Sequence, residues 1–209
     1  MRVTKGLITC GVLTGPIFFG VAILQIVFRP GYNIFLNAIS QLSLGDLGWI
    51  QITSFILTGL LAIAGGIGVR RLLKGKQGGT WGAILMCTFG LGLIVAGIFP
   101  PDPGNGFPPG TPAGTPSTMS VHADLHALGF FISMISAIAN CFVFVRRYAT
   151  LGKRGWLTYC IISGVAAPIL IALTNVAMSM AGVIVALAGA VVFGWATATS
   201  VQLKTEAGA

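Results

Sequence analysis

The chain has 209 residues, of which 55% are hydrophobic and only 8% are charged, and its mean hydropathy is +0.93. Soluble domains carry roughly 25% charged residues, so this composition excludes a water-soluble globular protein. The formal net charge of +8 does not indicate nucleic-acid binding, because the basic residues stand in short clusters between hydrophobic runs, without interleaved stacking aromatics. We expect membrane lipids as partners and no nucleic acid, and the sequence identifies no protein partner.

Hydrophobic runs predict six transmembrane helices, since a helix needs about 20 apolar residues to cross a bilayer. The predicted helices cover residues 7–28, 49–69, 81–99, 123–145, 156–175 and 180–201. The first run is too long for the core of a signal peptide, and no cleavage site follows it, so we expect it to remain as a membrane helix. The prediction is an all-α fold: a polytopic six-helix transmembrane bundle that forms a single domain over residues 1–209.

The distribution of basic residues predicts the topology, because cytoplasmic loops carry an excess of Lys and Arg. With the N-terminus inside, eleven of the twelve basic residues fall on the cytoplasmic side and only Arg29 lies outside. Lys204 falls on the inner side only if the last hydrophobic stretch crosses twice, which favours six helices over five. We therefore expect a multi-pass protein of the cell membrane with both termini in the cytoplasm.

The first outer connection, between helices 1 and 2, has polar residues at helical spacing with apolar residues between them. They are Asn33, Asn37, Ser40 and Gln41. This pattern predicts a short amphipathic helix that lies at the membrane surface or packs on the bundle. A turn-like segment from Ser43 to Asp46 follows it and leads into helix 2.

The second outer connection, residues 100–121, contains seven of the ten prolines, Asp102 and no basic residue. Such a stretch cannot form a regular helix or sheet. It is therefore either an ordered cap over the bundle or a flexible crossover, and the sequence leaves both alternatives open.

Helix 4 begins with both histidines of the chain, His122 and His126, and with Asp124 between them. Histidines four residues apart share a helix face and can reach one metal ion. Asp46 and Asp102 are predicted at the same membrane depth, so these two histidines and two aspartates are the candidate metal ligands. Zinc suits such a set, although the sequence does not identify the cofactor. Haem is disfavoured, because two histidines on one helix cannot bind opposite faces of the ring.

A structural role for these residues is the alternative. Asp124 suits the first turn of a helix because of the helix dipole, and Ser120 is a reasonable N-cap. The histidines and acids would then form a hydrogen-bonded cap without a metal.

Three segments carry a resemblance to a known family. They are Ile39-Ser40-Gln41-Leu42-Ser43-Leu44-Gly45 before Gly48-Trp49, Gly97-Ile98-Phe99-Pro100-Pro101-Asp102-Pro103, and His122-x-x-x-His126. In these segments the sequence resembles the bacterial and archaeal membrane proteins grouped as domain of unknown function 998. The resemblance covers most of the chain and implies a six-helix layout, and it implies no reaction, because the family carries no established activity.

A looser similarity is to the zinc-dependent membrane amidohydrolases that include alkaline ceramidases, in which a zinc-bound water attacks a lipid amide. Those enzymes use three histidine ligands and seven membrane crossings, whereas this chain has two histidines and six predicted crossings. Asp46 or Asp102 would have to replace a histidine ligand.

Three functions follow as hypotheses, and whether the protein is an enzyme stays open. In a metal-dependent lipid hydrolase, Asp124 would orient a ligand or act as general base, and Ser40 or Ser43 would contact the substrate or the metal-bound water. In a small-molecule or lipid transporter or binding protein, the outer polar cluster would line a vestibule. Ion-coupled transport is disfavoured, because no charged residue is predicted near the membrane midplane. In a structural membrane subunit, the cluster would only cap the bundle.

Overall fold

The computed structural model describes residues 2–207, which form six α-helices and the connections between them. The helices are α1 (Arg2–Phe28), α2 (Gly48–Leu72), α3 (Trp81–Ile98), α4 (Val121–Thr150), α5 (Arg154–Leu173) and α6 (Ala181–Glu206). Two short 3₁₀ helices, Ile39–Ser43 and Met178–Met180, lie in the connections. All six α-helices are long and apolar enough to cross a membrane, and residues 2–207 contain no β-strand. The predicted all-α, six-helix membrane fold is confirmed.

The helices run beyond the apolar segments that predicted them. The first helix begins at Arg2, the fourth continues to Thr150 and the sixth to Glu206. Each extension lies at the end of the bundle where the basic residues concentrate. Long Lys and Arg side chains can reach water at the headgroup level, so the helical backbone continues past the hydrocarbon at little cost.

Each helix packs antiparallel against the next one in sequence, and α6 packs against α1, so the six helices close into a ring. Two contacts define the register of α1 against α2. Gly11 lies against Gly65, and fourteen residues further along α1 the Gln25 side chain donates a hydrogen bond of 2.7 Å to Gln51. On the other side of α1, the backbone N–H of Gly15 donates to the Thr197 hydroxyl of α6.

Glycines let the central helices approach closely. A methyl group at Gly59 would lie 2.5 Å from the carbonyl oxygen of Gly90 across the α2–α3 contact. A methyl group at Gly129 would lie 2.7 Å from the backbone nitrogen of Ala96 across the α3–α4 contact. The hydrophobic effect does not drive apolar helices together in lipid, so van der Waals contact between closely approaching backbones stabilises the bundle instead.

The two ends of the bundle differ in chemistry. The basic end carries the connections 73–80 and 151–153, and there Glu206 forms ion pairs of 2.7 Å with both Arg147 and Lys153. The opposite end, called the outer end after the predicted topology, carries the connections 29–47, 99–120 and 174–180. The predicted functional residues lie at the outer end.

Candidate functional site

The connection 29–47 folds onto the bundle with two of its side-chain amides, those of Asn37 and Gln41, turned inward. Its regular part is a five-residue 3₁₀ helix, Ile39–Ser43, which is shorter than the amphipathic helix expected from the polar spacing. Asn37 and Gln41 are buried and hydrogen bonded to each other, and both side-chain amides lie 3.4 Å from the carbonyl oxygen of Gly104. These buried amides tie the two outer connections together.

The first half of the proline-rich connection forms a cap over the bundle. Phe107 is fully buried and meets the Tyr32 ring edge to face at 5.4 Å between centroids. The Arg29 guanidinium lies 5.3 Å from the Phe107 ring centroid. Residues 112–121, in contrast, are exposed. Of the two alternatives, the structure therefore supports an ordered cap for the first half of this connection.

Arg29, the one basic residue predicted outside, is an anchor of this cap. Its guanidinium donates hydrogen bonds to the carbonyl oxygens of Leu42, at 3.2 Å, and Leu44. Burial lowers the pKa of Arg29, and the nearby negative charge of Asp46 opposes that shift. Asp46 itself is exposed, and within residues 2–207 it forms no ion pair with Arg29.

Asp102 supports the start of α4. Its carboxylate accepts hydrogen bonds from the backbone N–H of Ser120 at 2.7 Å and from the Ser120 hydroxyl at 2.6 Å. The Ser120 oxygen in turn accepts from the backbone N–H of Ala123, which confirms Ser120 as the N-cap. The hydrogen bonds from Ser120 hold the pKa of Asp102 below its ordinary value, and the neighbouring His122 lowers it further. Asp124 is exposed in the first turn of α4.

His126 is buried and closes the end of α3. Its Nδ1 lies 2.9 Å from the carbonyl oxygen of Ala96 and 2.9 Å from that of Phe99. Both atoms are acceptors: Ala96 lies in the last turn of α3 and Phe99 directly follows it, where carbonyl groups have no partner within the helix. Nδ1 must therefore carry the proton and donate, so Nε2 of the neutral ring is left as an acceptor.

The two histidines do not face a common point. His122 is exposed, and its ring meets Phe99 edge to face at 5.5 Å, whereas His126 is turned into the bundle. Asp102 is engaged with Ser120, and Asp46 lies beside Arg29. Within the part of the chain that the structure describes, no three His, Cys, Asp or Glu side chains form a group that could hold a metal ion.

A cavity of about 60 Å³ lies beside His126, between α1, α2, α3, α4, α6 and the 3₁₀ helix. His126, Ser40 and Ser133 are its polar lining residues, and the rest of the wall is apolar. The structure therefore brings two of the predicted site residues, Ser40 and His126, to one cavity. Ser43 is buried outside this lining, and its hydroxyl has no hydrogen-bond partner among residues 2–207.

The aromatic wall of the cavity was not identified from the sequence. Phe18 stacks on Phe193 with centroids 4.6 Å apart and meets Phe55 edge to face at 5.1 Å. These residues lie on three different helices, and in the sequence each is one apolar residue within a long apolar run. Nothing in the sequence distinguishes them from ordinary core residues.

Comparison with known proteins gives a family. The family model described as "Protein of unknown function (DUF998)" matches residues 12–202, which is most of the chain and all of the outer end. No curated protein and no solved structure matches the chain significantly. The three segments that resemble this family therefore belong to a match that spans the bundle from α1 to α6, and the chain belongs to the DUF998 family of membrane proteins.

Proposed function

We propose that the protein binds an apolar molecule that carries one hydrogen-bond donor, such as a lipid alcohol, in the cavity beside His126. The observation that carries the proposal is a buried, oriented histidine in a wall that is otherwise almost entirely apolar. Ligand sites commonly combine an apolar lining with a few fixed polar groups that orient the ligand.

The polar contact follows from the tautomer of His126. With its Nδ1–H held by the carbonyl oxygens of Ala96 and Phe99, the ring offers Nε2 as an acceptor. The hydrogen bonds of His126 within residues 2–207 use only Nδ1, so the hydroxyl group of a ligand can donate to Nε2, which contributes about 0.5–1.5 kcal/mol. Ser40, which is half-buried in the same wall, can accept from or donate to the same hydroxyl.

The size of the cavity limits what enters it. A volume of about 60 Å³ is smaller than the cavity of about 150 Å³ that holds a benzene molecule in a protein core. The cavity therefore accommodates the polar end of a ligand and a few carbon atoms. The remainder of the ligand would lie along half-exposed lining residues such as Phe19, Phe130 and Val185, which belong to α1, α4 and α6.

The metal-dependent lipid hydrolase predicted from the sequence has less support. It needs His122 and His126 to share an ion with an aspartate, whereas His126 uses Nδ1 for the carbonyl groups of α3 and His122 is exposed. A transporter would need the ligand to leave towards the other side, and a structural subunit would need no ligand. Binding of a lipid alcohol is therefore the function that the geometry supports best.

Photocrosslinking in lipid nanodiscs tests the proposal. The probe is a long-chain alcohol with a diazirine beside its hydroxyl group, and the competitors are unlabelled 1-dodecanol and methyl dodecyl ether, which lacks the donor. We expect labelling of α4 or α6 near the cavity, which dodecanol suppresses and the ether does not. Gly189→Leu, which fills the cavity while keeping His126, should abolish the labelling, and Gly194→Leu on the exposed face of α6 is the matched control. Equal competition by the alcohol and the ether, or undiminished labelling of Gly189→Leu, would contradict the proposal.

A further inference from the structure

A second recess begins at the basic end of the bundle and shares no lining residue with the cavity beside His126. It is a groove of about 750 Å³ on the outer surface between α2 and α3. Its walls are apolar side chains that are 42–51% exposed: Ile67, Ile84 and Leu91. Such a groove faces the lipid hydrocarbon in a membrane.

The charge of this groove is concentrated at one end. Arg70 and Arg71, in the last turn of α2, line that end, and both are exposed. The Arg70 guanidinium donates a hydrogen bond of 3.1 Å to the Thr80 hydroxyl, which holds it at the mouth of the groove. No acidic residue lines the groove, and the ion pairs found within residues 2–207 join Glu206 to other basic residues. The two guanidinium groups are therefore not neutralised by a carboxylate.

The length of the groove matches one leaflet of a bilayer. Thr80 and Leu91 mark its two ends along the α3 chain, and eleven residues of helix rise roughly 16 Å. The hydrocarbon core of a bilayer is about 30 Å thick, so one leaflet contributes about 15 Å. With the arginines at the headgroup level, the apolar part of the groove extends to the midplane.

We infer that this groove binds one phospholipid with a net negative headgroup, taken from the leaflet at the basic end. Its phosphate contacts Arg70 and Arg71, because planar guanidinium groups bind phosphate oxygens through paired hydrogen bonds. One acyl chain lies along Ile67, Ile84 and Leu91. A zwitterionic lipid binds more weakly, because its ammonium group meets two cations here and no carboxylate.

This site goes beyond general attraction of basic loops to an anionic membrane. Lys74 and Arg154 are also exposed at the basic end, and neither lines the groove. A double variant of these two residues removes the same charge as a double variant of the two groove arginines. The pair of variants separates a built site from a diffuse surface potential.

Native mass spectrometry of the detergent-purified protein tests the inference, with phosphatidylglycerol and phosphatidylcholine of identical acyl chains as probes. We expect the wild type to retain one phosphatidylglycerol preferentially. Arg70→Gln/Arg71→Gln should lower the affinity of that molecule about tenfold, the loss of roughly one charge-assisted hydrogen bond, and Lys74→Gln/Arg154→Gln should leave it within about twofold.

Two results would overturn the inference. They are equal retention of the two lipids by the wild type and equal losses of affinity in the two double variants. Circular dichroism and thermal unfolding of each variant establish that the helices are intact. Because all four substituted side chains are exposed, we expect these variants to fold as the wild type does.

Discussion

Replacing Gly92 with alanine probes how closely α3 and α4 must pack. A methyl group on Gly92 would lie 2.6 Å from the carbonyl oxygen of Gly129 and 2.6 Å from the backbone nitrogen of Ser133. Both are backbone atoms of α4, which cannot turn aside as the tip of a flexible side chain can. The substitution therefore forces a displacement of one helix relative to the other.

The size of that displacement sets the expected cost. Ordinary contact of a methyl carbon begins at 3.4 Å, so the two backbones must separate by about 0.8 Å. Overpacking of this kind costs about 1–3 kcal/mol. At roughly 2–4 °C per kcal/mol for a chain of about 200 residues, we expect Gly92→Ala to lower the Tm by about 2–12 °C.

Thermal unfolding in a mild detergent, followed by circular dichroism, measures this shift. The matched control is Gly194→Ala, a glycine in the middle of α6 with no atom within 4 Å of the added methyl group. Alanine favours a helix over glycine by about 0.5–1 kcal/mol, so the control should unfold at the same temperature or slightly higher. A Gly92→Ala variant as stable as the Gly194→Ala variant would refute the claim that contact of the α3 and α4 backbones limits the packing.

Three further predictions concern the polar groups. Asp102→Asn should lose less stability on acidification than the wild type, as measured by thermal unfolding across pH. Because the pKa of Asp102 is lowered in the folded protein, its charged form stabilises the fold above the ordinary carboxyl pKa of about 4. This contribution disappears as the pH falls through the folded-state pKa. Glu206→Gln should lower the free energy of unfolding at pH 7 by about 2 kcal/mol, below the roughly 3–5 kcal/mol of fully buried pairs, because it leaves Arg147 buried without its partner. Elemental analysis should find sub-stoichiometric zinc, equal in the wild type and in His122→Ala/His126→Ala.

Each of these predictions has a contrary outcome. An identical acid response of the wild type and Asp102→Asn would mean that the hydrogen bonds from Ser120 do not favour the carboxylate. An unchanged free energy of unfolding in Glu206→Gln would mean that its ion pairs add nothing to stability. Near-stoichiometric zinc in the wild type that is lost in the double variant would establish the outer metal site and favour the hydrolase hypothesis.

The helices of this protein can be predicted from its sequence because the thickness of the bilayer determines their minimum length. Each apolar run is long enough to span the hydrocarbon, and the observed helices contain most of every predicted one. The helix ends were less predictable, because basic residues such as Arg2 and Arg70 can lie in the headgroup region, so the helices continue through them. The single-domain boundary 1–209 and the cytoplasmic location of the termini stay predictions.

The site was less accessible to sequence reasoning because it depends on where neighbouring helices end. Spacing alone puts His122 and His126 on one face of α4, but four residues separate them by about 6 Å along the axis. At that depth α3 reaches its last turn, and its free carbonyl groups fix His126, whereas His122 lies at the exposed edge. The position at which α3 meets α4 follows from glycine contacts such as Gly92 with Gly129, which no local pattern predicts.

The closure of the ring between α1 and α6 imposes an order on the assembly of the protein. A methyl group at Gly11 would lie 2.7 Å from the Ser200 hydroxyl, so these distant parts of the chain are in intimate contact. At about 5–20 residues per second of synthesis, α1 waits roughly ten to forty seconds for its partner. Phe193, which completes the aromatic wall, arrives with the same helix. The nascent bundle therefore completes this cavity in the last step, and the ligand proposed above would bind only once insertion is complete.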